Sequence, residues 1–116
     1  MYPLRFDNLF HVVNAMEDEG SYALAAYFYL YLSHHFGNDI WLYTRAANAF
    51  YQAGRYDTAV SYISLVNRLR PSVASYLIAG RCWLALGEIR IALEQYKQAK
   101  EILDYGSACV NNRCDV

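Results

Sequence analysis

Along this chain apolar residues return every third or fourth position, and nowhere do they alternate with polar ones as a half-buried strand would require. The periodic stretches are punctuated by glycine at an almost constant interval: Gly20 to Gly54 is 34 residues and Gly54 to Gly87 is 33. Around two of these glycines the chain nearly repeats itself, Ala46-Ala47-Asn48-Ala49-Phe50-Tyr51-Gln52-Ala53-Gly54-Arg55-Tyr56-Asp57-Thr58-Ala59 matching Ala79-Gly80-Arg81-Cys82-Trp83-Leu84-Ala85-Leu86-Gly87-Glu88-Ile89-Arg90-Ile91-Ala92. A third, more diverged copy lies upstream, with Gly20, Tyr22 and Ala25 at the equivalent places. The pattern predicts helix pairs at about 6–18 with 21–36, 40–53 with 56–69, and 73–86 with 88–104. The corresponding units are 6–37, 38–71 and 72–104, after a stub at 1–5 and before a tail at 105–116. In a repeat of this length each helix pair is one unit that buries its apolar stripe against its neighbours, and about three units are the minimum for stability.

Each recurring residue has a physical reason. Gly20, Gly54 and Gly87 follow a helix at a sharp reversal, where a left-handed backbone costs glycine little. Ala25, Ala59 and Ala92 stand early in the second helices, and Ala47 and Gly80 in the first ones, where a small side chain lets two helices approach. Met16, Phe50 and Trp83 are the bulky residues expected to fill the space beside them. Pro71 separates the second helix of the middle unit from the next first helix.

Tyr43-x-x-Ala46-Ala47-x-x-Phe50 and Tyr76-x-x-Ala79-Gly80-x-x-Trp83, each followed by a glycine and a second-helix alanine, resemble the tetratricopeptide repeat over about residues 6–104. The first copy is degenerate, with Leu9, Val12, Val13 and Met16, and lacks the closing proline. The resemblance implies an all-α fold, three tandem helix pairs in a right-handed superhelical solenoid, with the first helices lining a concave groove. The groove positions are then Phe10, His11 and Asn14 on the first of these helices. On the second they are Trp41, Thr44, Arg45, Asn48 and Tyr51, and on the third Leu77, Ile78, Arg81 and Leu84. Apolar and aromatic side chains mixed with Asn and Arg suit an extended or helical peptide, whose apolar anchors fill pockets while the polar groups catch its backbone. Repeats that capture the C-terminal carboxylate of heat-shock chaperones carry a Lys, Asn, Asn, Lys, Arg clamp. The corresponding residues here are Phe10, Asn14, Arg45, Ala74 and Ile78, and with both lysines absent that role is not expected.

A second surface is expected on the second helix of the first unit. Where the last helix shows Glu94, Gln95, Lys97 and Gln98, the first unit shows Tyr27, Phe28, Leu30 and Tyr31, an aromatic group that reads as a further interface for a dimer mate, a small co-chaperone or an additional N-terminal helix.

Composition narrows the functional class. Hydrophobic residues form 56% of the chain and charged ones only 18%, which supports a packed core. Twelve tyrosines suit a surface that is wet in one state and covered in another. Net charge is −1 with scattered basic residues, so no footprint for nucleic acid is present. Residues 22–36 form the most apolar stretch, too short for the roughly 20 residues of a membrane span, and Met1 to Phe6 carry no secretory signal; a soluble cytosolic protein is expected. Cys82 reads as a small buried residue, while Cys109 and Cys114 read as free thiols on a polar tail. The acidic run Glu17, Asp18, Glu19 reads as a solvated turn. His34 and His35 are adjacent on a helix and diverge by about 100°. With no phosphate loop, paired carboxylates or metal motif, no enzymatic activity, cofactor or metal is expected.

Within the repeat family the segment Ala79 to Glu88, the run Ala53-Gly54-Arg55-Tyr56-Asp57-x-Ala59 and the link Asn38-Asp39 resemble the chaperones of bacterial type III secretion that guard translocators. That class carries an additional N-terminal dimerisation helix, whereas residues 1–5 alone precede the first unit here; in length the chain is closer to the related chaperones of the needle subunit, which pair with a small co-chaperone. The resemblance implies that the groove holds an aggregation-prone secreted protein, translocator or needle subunit, unassembled in the bacterial cytoplasm. A generic repeat adaptor is the alternative.

Overall fold

The computed structural model describes the backbone of residues 6–37 and 39–112 and the side chains of residues 9, 11–37 and 39–105. Six α-helices account for nearly all of it: α1 (Phe6–Asp18), α2 (Tyr22–Phe36), α3 (Ile40–Gln52), α4 (Tyr56–Leu69), α5 (Val73–Ala85) and α6 (Ile89–Asn112). No strand occurs among the described residues. The boundaries lie within a residue or two of the expected ones except at the C-terminus, where α6 continues to Asn112 instead of ending at 104. Lys100 and Asp104, 2.7 Å apart and one helical turn from each other, support that continuation at its start.

The helix ends explain why the chain breaks where it does. After α1, α3 and α5 the same turn is built three times. Gly20, Gly54 and Gly87 adopt φ of +81°, +82° and +84°. The next residue's amide reaches back across the turn: Ser21 to the Met16 carbonyl at 2.8 Å, Arg55 to Phe50 at 2.9 Å and Glu88 to Trp83 at 2.9 Å. These bonds satisfy carbonyls that a helix end would otherwise leave without partners. The starts of α3 and α5 are capped by side chains, Asp39 accepting from the Trp41 amide at 2.9 Å and Ser72 forming a reciprocal capping box with Ser75. Pro71 sits between Leu69 and Val73, the last residue of α4 and the first of α5.

Each helix packs on its neighbours in the chain, and α3 additionally meets α5. The larger core cluster joins Val13 of α1, Tyr29 and Leu32 of α2, Leu42 and Phe50 of α3, and Cys82 of α5. A second cluster joins Ala47, Ile63, Val66 and Ala79. The expected small residues Ala25, Ala47, Ala59, Gly80 and Ala92 are all buried, as is Phe50, with Met16 and Trp83 half-buried. Phe50 and Tyr62 stack at 5.7 Å and Tyr43 and Tyr62 at 6.1 Å, so aromatic faces knit α3 to α4.

Gly80 shows how tight the α5–α6 approach is. A Cβ there would stand 2.7 Å from the Tyr96 ring. Exposed mid-helix Gly→Ala changes normally stabilise by about 1 kcal/mol through helix propensity. At Gly80 the overpacking term of about 1–3 kcal/mol opposes that gain. Gly80→Ala is therefore expected to lower the urea midpoint of unfolding; a raised midpoint would mean that the Tyr96 ring yields freely and that contact does not set the helix spacing.

Candidate functional site

The first helices α1, α3 and α5 share one face, and two adjoining cavities run across it. One, of about 380 Å³, lies between α3 and α5 and is lined by Trp41, Thr44, Arg45 and Asn48 on one side and Ala74, Leu77, Ile78 and Arg81 on the other. The other, of about 500 Å³, lies between α1 and α3, where Asn14, Glu17 and Asp18 face Arg45, Asn48 and Gln52, with Tyr22 of α2 at the edge. Arg45 and Asn48 line both, so together the cavities form one groove.

The two halves differ in character. The α3–α5 half is walled by Trp41, Leu77 and Ile78; Trp41 is 45% and Leu77 37% exposed, although both are large and apolar. The α1–α3 half is lined almost wholly by polar and acidic side chains. At their junction Arg45 is held from three sides. Its guanidinium donates to Glu17 Oε1 at 2.9 Å and to the Tyr29 hydroxyl at 3.0 and 3.2 Å. It also lies 5.5 Å from the Tyr29 ring centroid and 5.7 Å from that of Trp41. The Tyr29 hydroxyl in turn donates to Glu17 Oε1 at 2.5 Å. This cluster bonds α1, α2 and α3 to one another through side chains 12, 16 and 28 residues apart in sequence.

Burial, then the bond to Glu17, pushes the Tyr29 phenol up to about 12. Burial alone would lower the Arg45 guanidinium, but its bonds to Tyr29 and the charge of Glu17 raise it, so it stays a cation. Elsewhere in the core, burial pushes the Cys82 thiol up to about 11 against the opposing pull of Arg81, which leaves it an unreactive packing residue.

Most of the groove positions anticipated from the repeat register meet here: Asn14, Trp41, Thr44, Arg45, Asn48, Leu77, Ile78 and Arg81 line the two cavities. Others do not. Tyr51 is half-buried, packed on the core and tilted against Tyr56 at 5.6 Å. His11 and Leu84 are exposed but line neither cavity. Arg45 was expected to face a partner, and its charged head is instead committed to Glu17 and Tyr29. The solvated turn expected at 17–19 holds for Asp18 and Glu19 only, because the Glu17 side chain is 17% exposed and ion-paired to Arg45. Ala74, one of the clamp-equivalent positions, lines the groove as well, while Tyr22 and Gln52 do so without having been foreseen; both stand at helix ends, where register alone does not show which way a side chain leans.

The aromatic group on α2 is also only partly outward. Phe28 and Leu30 are half-buried and packed on the core. Tyr27 and Tyr31 are 51% and 41% exposed. Tyr27 is braced edge-on against Phe50 at 5.3 Å, and its hydroxyl accepts from Arg55 at 2.8 Å. Tyr31 lies 4.2 Å from the His35 ring. The side chains of Phe10 and Cys109, and Asn38 and Cys114 altogether, lie outside the described residues. Among the described residues no group of His, Cys, Asp and Glu could hold a metal ion, and no helix is long and apolar enough to cross a membrane.

Removing the Glu17 carboxylate strands a buried phenol and weakens the hold on Arg45. Glu17→Ala is expected to cost about 1–3 kcal/mol, while Glu19→Ala stays within about 0.5 kcal/mol as an exposed substitution; matched urea curves compare the two. The raised Tyr29 pKa sets an alkaline limit. The folded state holds the phenolic proton more tightly than the unfolded chain, whose tyrosines ionise near 10. Its contribution to stability is therefore intact below pH 10 and lost as pH rises towards 12. Ultraviolet titration of tyrosinate is expected to show a late step that Tyr29→Phe removes; a titration unchanged by that substitution would place the hydroxyl in water.

No protein-family model matches this chain, and no curated protein is significantly similar to it in sequence.

Proposed function

We infer that the chain is a peptide-holding chaperone built as a solenoid of three tetratricopeptide-like helix pairs, and that it keeps an aggregation-prone export substrate of a bacterial type III secretion system unassembled in the cytoplasm. The observation that carries the holding role is the groove itself. Trp41, Leu77 and Ile78 line an unfilled apolar trough on the face shared by the first helices, large enough for two or three side chains of a partner. The turn repeated at Gly20, Gly54 and Gly87, with its back-reaching amide bond each time, supports the reading of three equivalent helix pairs. The type III assignment rests on the sequence resemblance at 53–59 and 79–88. The bound protein is a translocator or a needle subunit. The exposed rings of Tyr27 and Tyr31 are the corresponding candidate surface for a small co-chaperone or a second copy.

A second reading, a repeat adaptor without chaperone duty, shares the groove and differs in what the groove holds. Affinity capture of the tagged protein from its own cells, with bound chains identified by mass spectrometry, separates the two. A needle subunit or hydrophobic translocator is the expected catch, lost with Leu77→Arg and retained with Tyr27→Glu/Tyr31→Glu. A catch of unrelated cytosolic proteins would move the assignment to the adaptor. Loss of helical circular dichroism in Leu77→Arg would show Leu77 to be core; Trp41→Ala, at the opposite wall, then serves as the second groove variant.

A further inference from the structure

The groove is electrically asymmetric, and its asymmetry says what kind of segment it takes. In the α1–α3 half Glu17 is neutralised by Arg45, but Asp18 lines the same cavity, exposed and with no ion-pair or hydrogen-bond partner among the described residues. At the α5 end Arg81 lines the apolar cavity, also exposed and likewise without an ion-pair partner among the described residues. Asp18 therefore stands on the α1 side of the groove and Arg81 on the α5 side, where Trp41, Leu77 and Ile78 supply the apolar lining, with Asn48 of α3 common to both cavities. A negative charge on the α1 side, and a positive charge beside the apolar lining on the α5 side, give the groove a direction.

We propose that the groove holds an amphipathic polypeptide segment in one orientation, its apolar side chains against Trp41 and Leu77, a lysine or arginine beside Asp18 and a glutamate or aspartate beside Arg81. The inference rests on the groove being the binding surface. Its scale follows from exposure: solvent-facing ion pairs change affinity only about 1.5- to fivefold each, so the charges select orientation and partner while the apolar wall carries the affinity.

The test uses two amphipathic Leu/Ala/Gln peptides about four helical turns long, alike except at their ends. The bipolar peptide carries Lys at one end and Glu at the other; the neutral one carries Gln at both. Binding is read from the fluorescence of Trp41 in a Trp83→Phe background. The bipolar peptide is expected to bind about three- to tenfold more tightly than the neutral one at low salt, two rim pairs combined, and the preference is expected to fade at high salt. Asp18→Asn and Arg81→Gln should each reduce the preference for the bipolar over the neutral peptide. Equal affinities for both peptides, or a preference that survives both substitutions, overturn the polarity while leaving the groove in place. Failure of both peptides to bind, or binding unaffected by Leu77→Arg, overturns the groove reading itself and the polarity with it.

Discussion

The groove's shape depends on Arg45. A guanidinium on the inward face of α3 would be an obstruction if it were free to swing; here Glu17 and Tyr29 hold it, and the Trp41 ring lies beside it. Because Glu17 belongs to α1 and Tyr29 to α2, the same bonds set where α1 stands relative to α3. That relation decides whether the two cavities join. A half-buried ion pair is not in itself a large source of stability, since desolvation offsets much of the Coulombic gain. Its value lies in specificity of arrangement: the shared Glu17 oxygen and the buried phenol are satisfied together in one placement of three helices.

Around this cluster the fold is assembled from nearest-neighbour contacts. Each helix buries one stripe on the next helix in the chain, and small residues at the crossings let the helices approach, as where Gly80 meets Tyr96. On the face shared by α1, α3 and α5, Trp41 and Leu77 are in part exposed, as are other large apolar residues elsewhere on the surface, Leu24 and Leu69 among them. Under the proposed function, the apolar wall of Trp41, Leu77 and Ile78 beside Arg81 is the surface that another polypeptide would cover.

The helices were legible because their punctuation is local. Glycine at each reversal and Pro71 between units act within a few residues, and the sequence displays them directly, whereas the caps at Asp39 and Ser72 emerge only in the structure. The trough was legible in part for a related reason: once the repeat register is known, Trp41, Leu77, Ile78 and Arg81 fall on one face. The Glu17–Tyr29–Arg45 cluster was not, because it joins residues from three helices, and a lone Glu at the end of a helix looks like any solvated acid. Its one trace is that Glu17 sits where the helix dipole disfavours it, a placement that a specific partner offsets. The α2 ring group was misjudged by treating all four residues as one face; Phe28 and Leu30 turn to the core, while Tyr27 and Tyr31 do not. The run of α6 past 104 escaped notice because its continuation lacks an apolar period.

The central claim is that α1, α3 and α5 present the binding face, and amide hydrogen exchange on the protein alone and in complex with its co-purified partner tests it most directly. The account predicts that the partner slows exchange chiefly in α3 and α5, around Trp41 to Asn48 and Ala74 to Arg81, with α4 unaffected. Protection confined to α2, with α3 and α5 exchanging as in the free protein, would contradict it and place the partner on the tyrosine face instead.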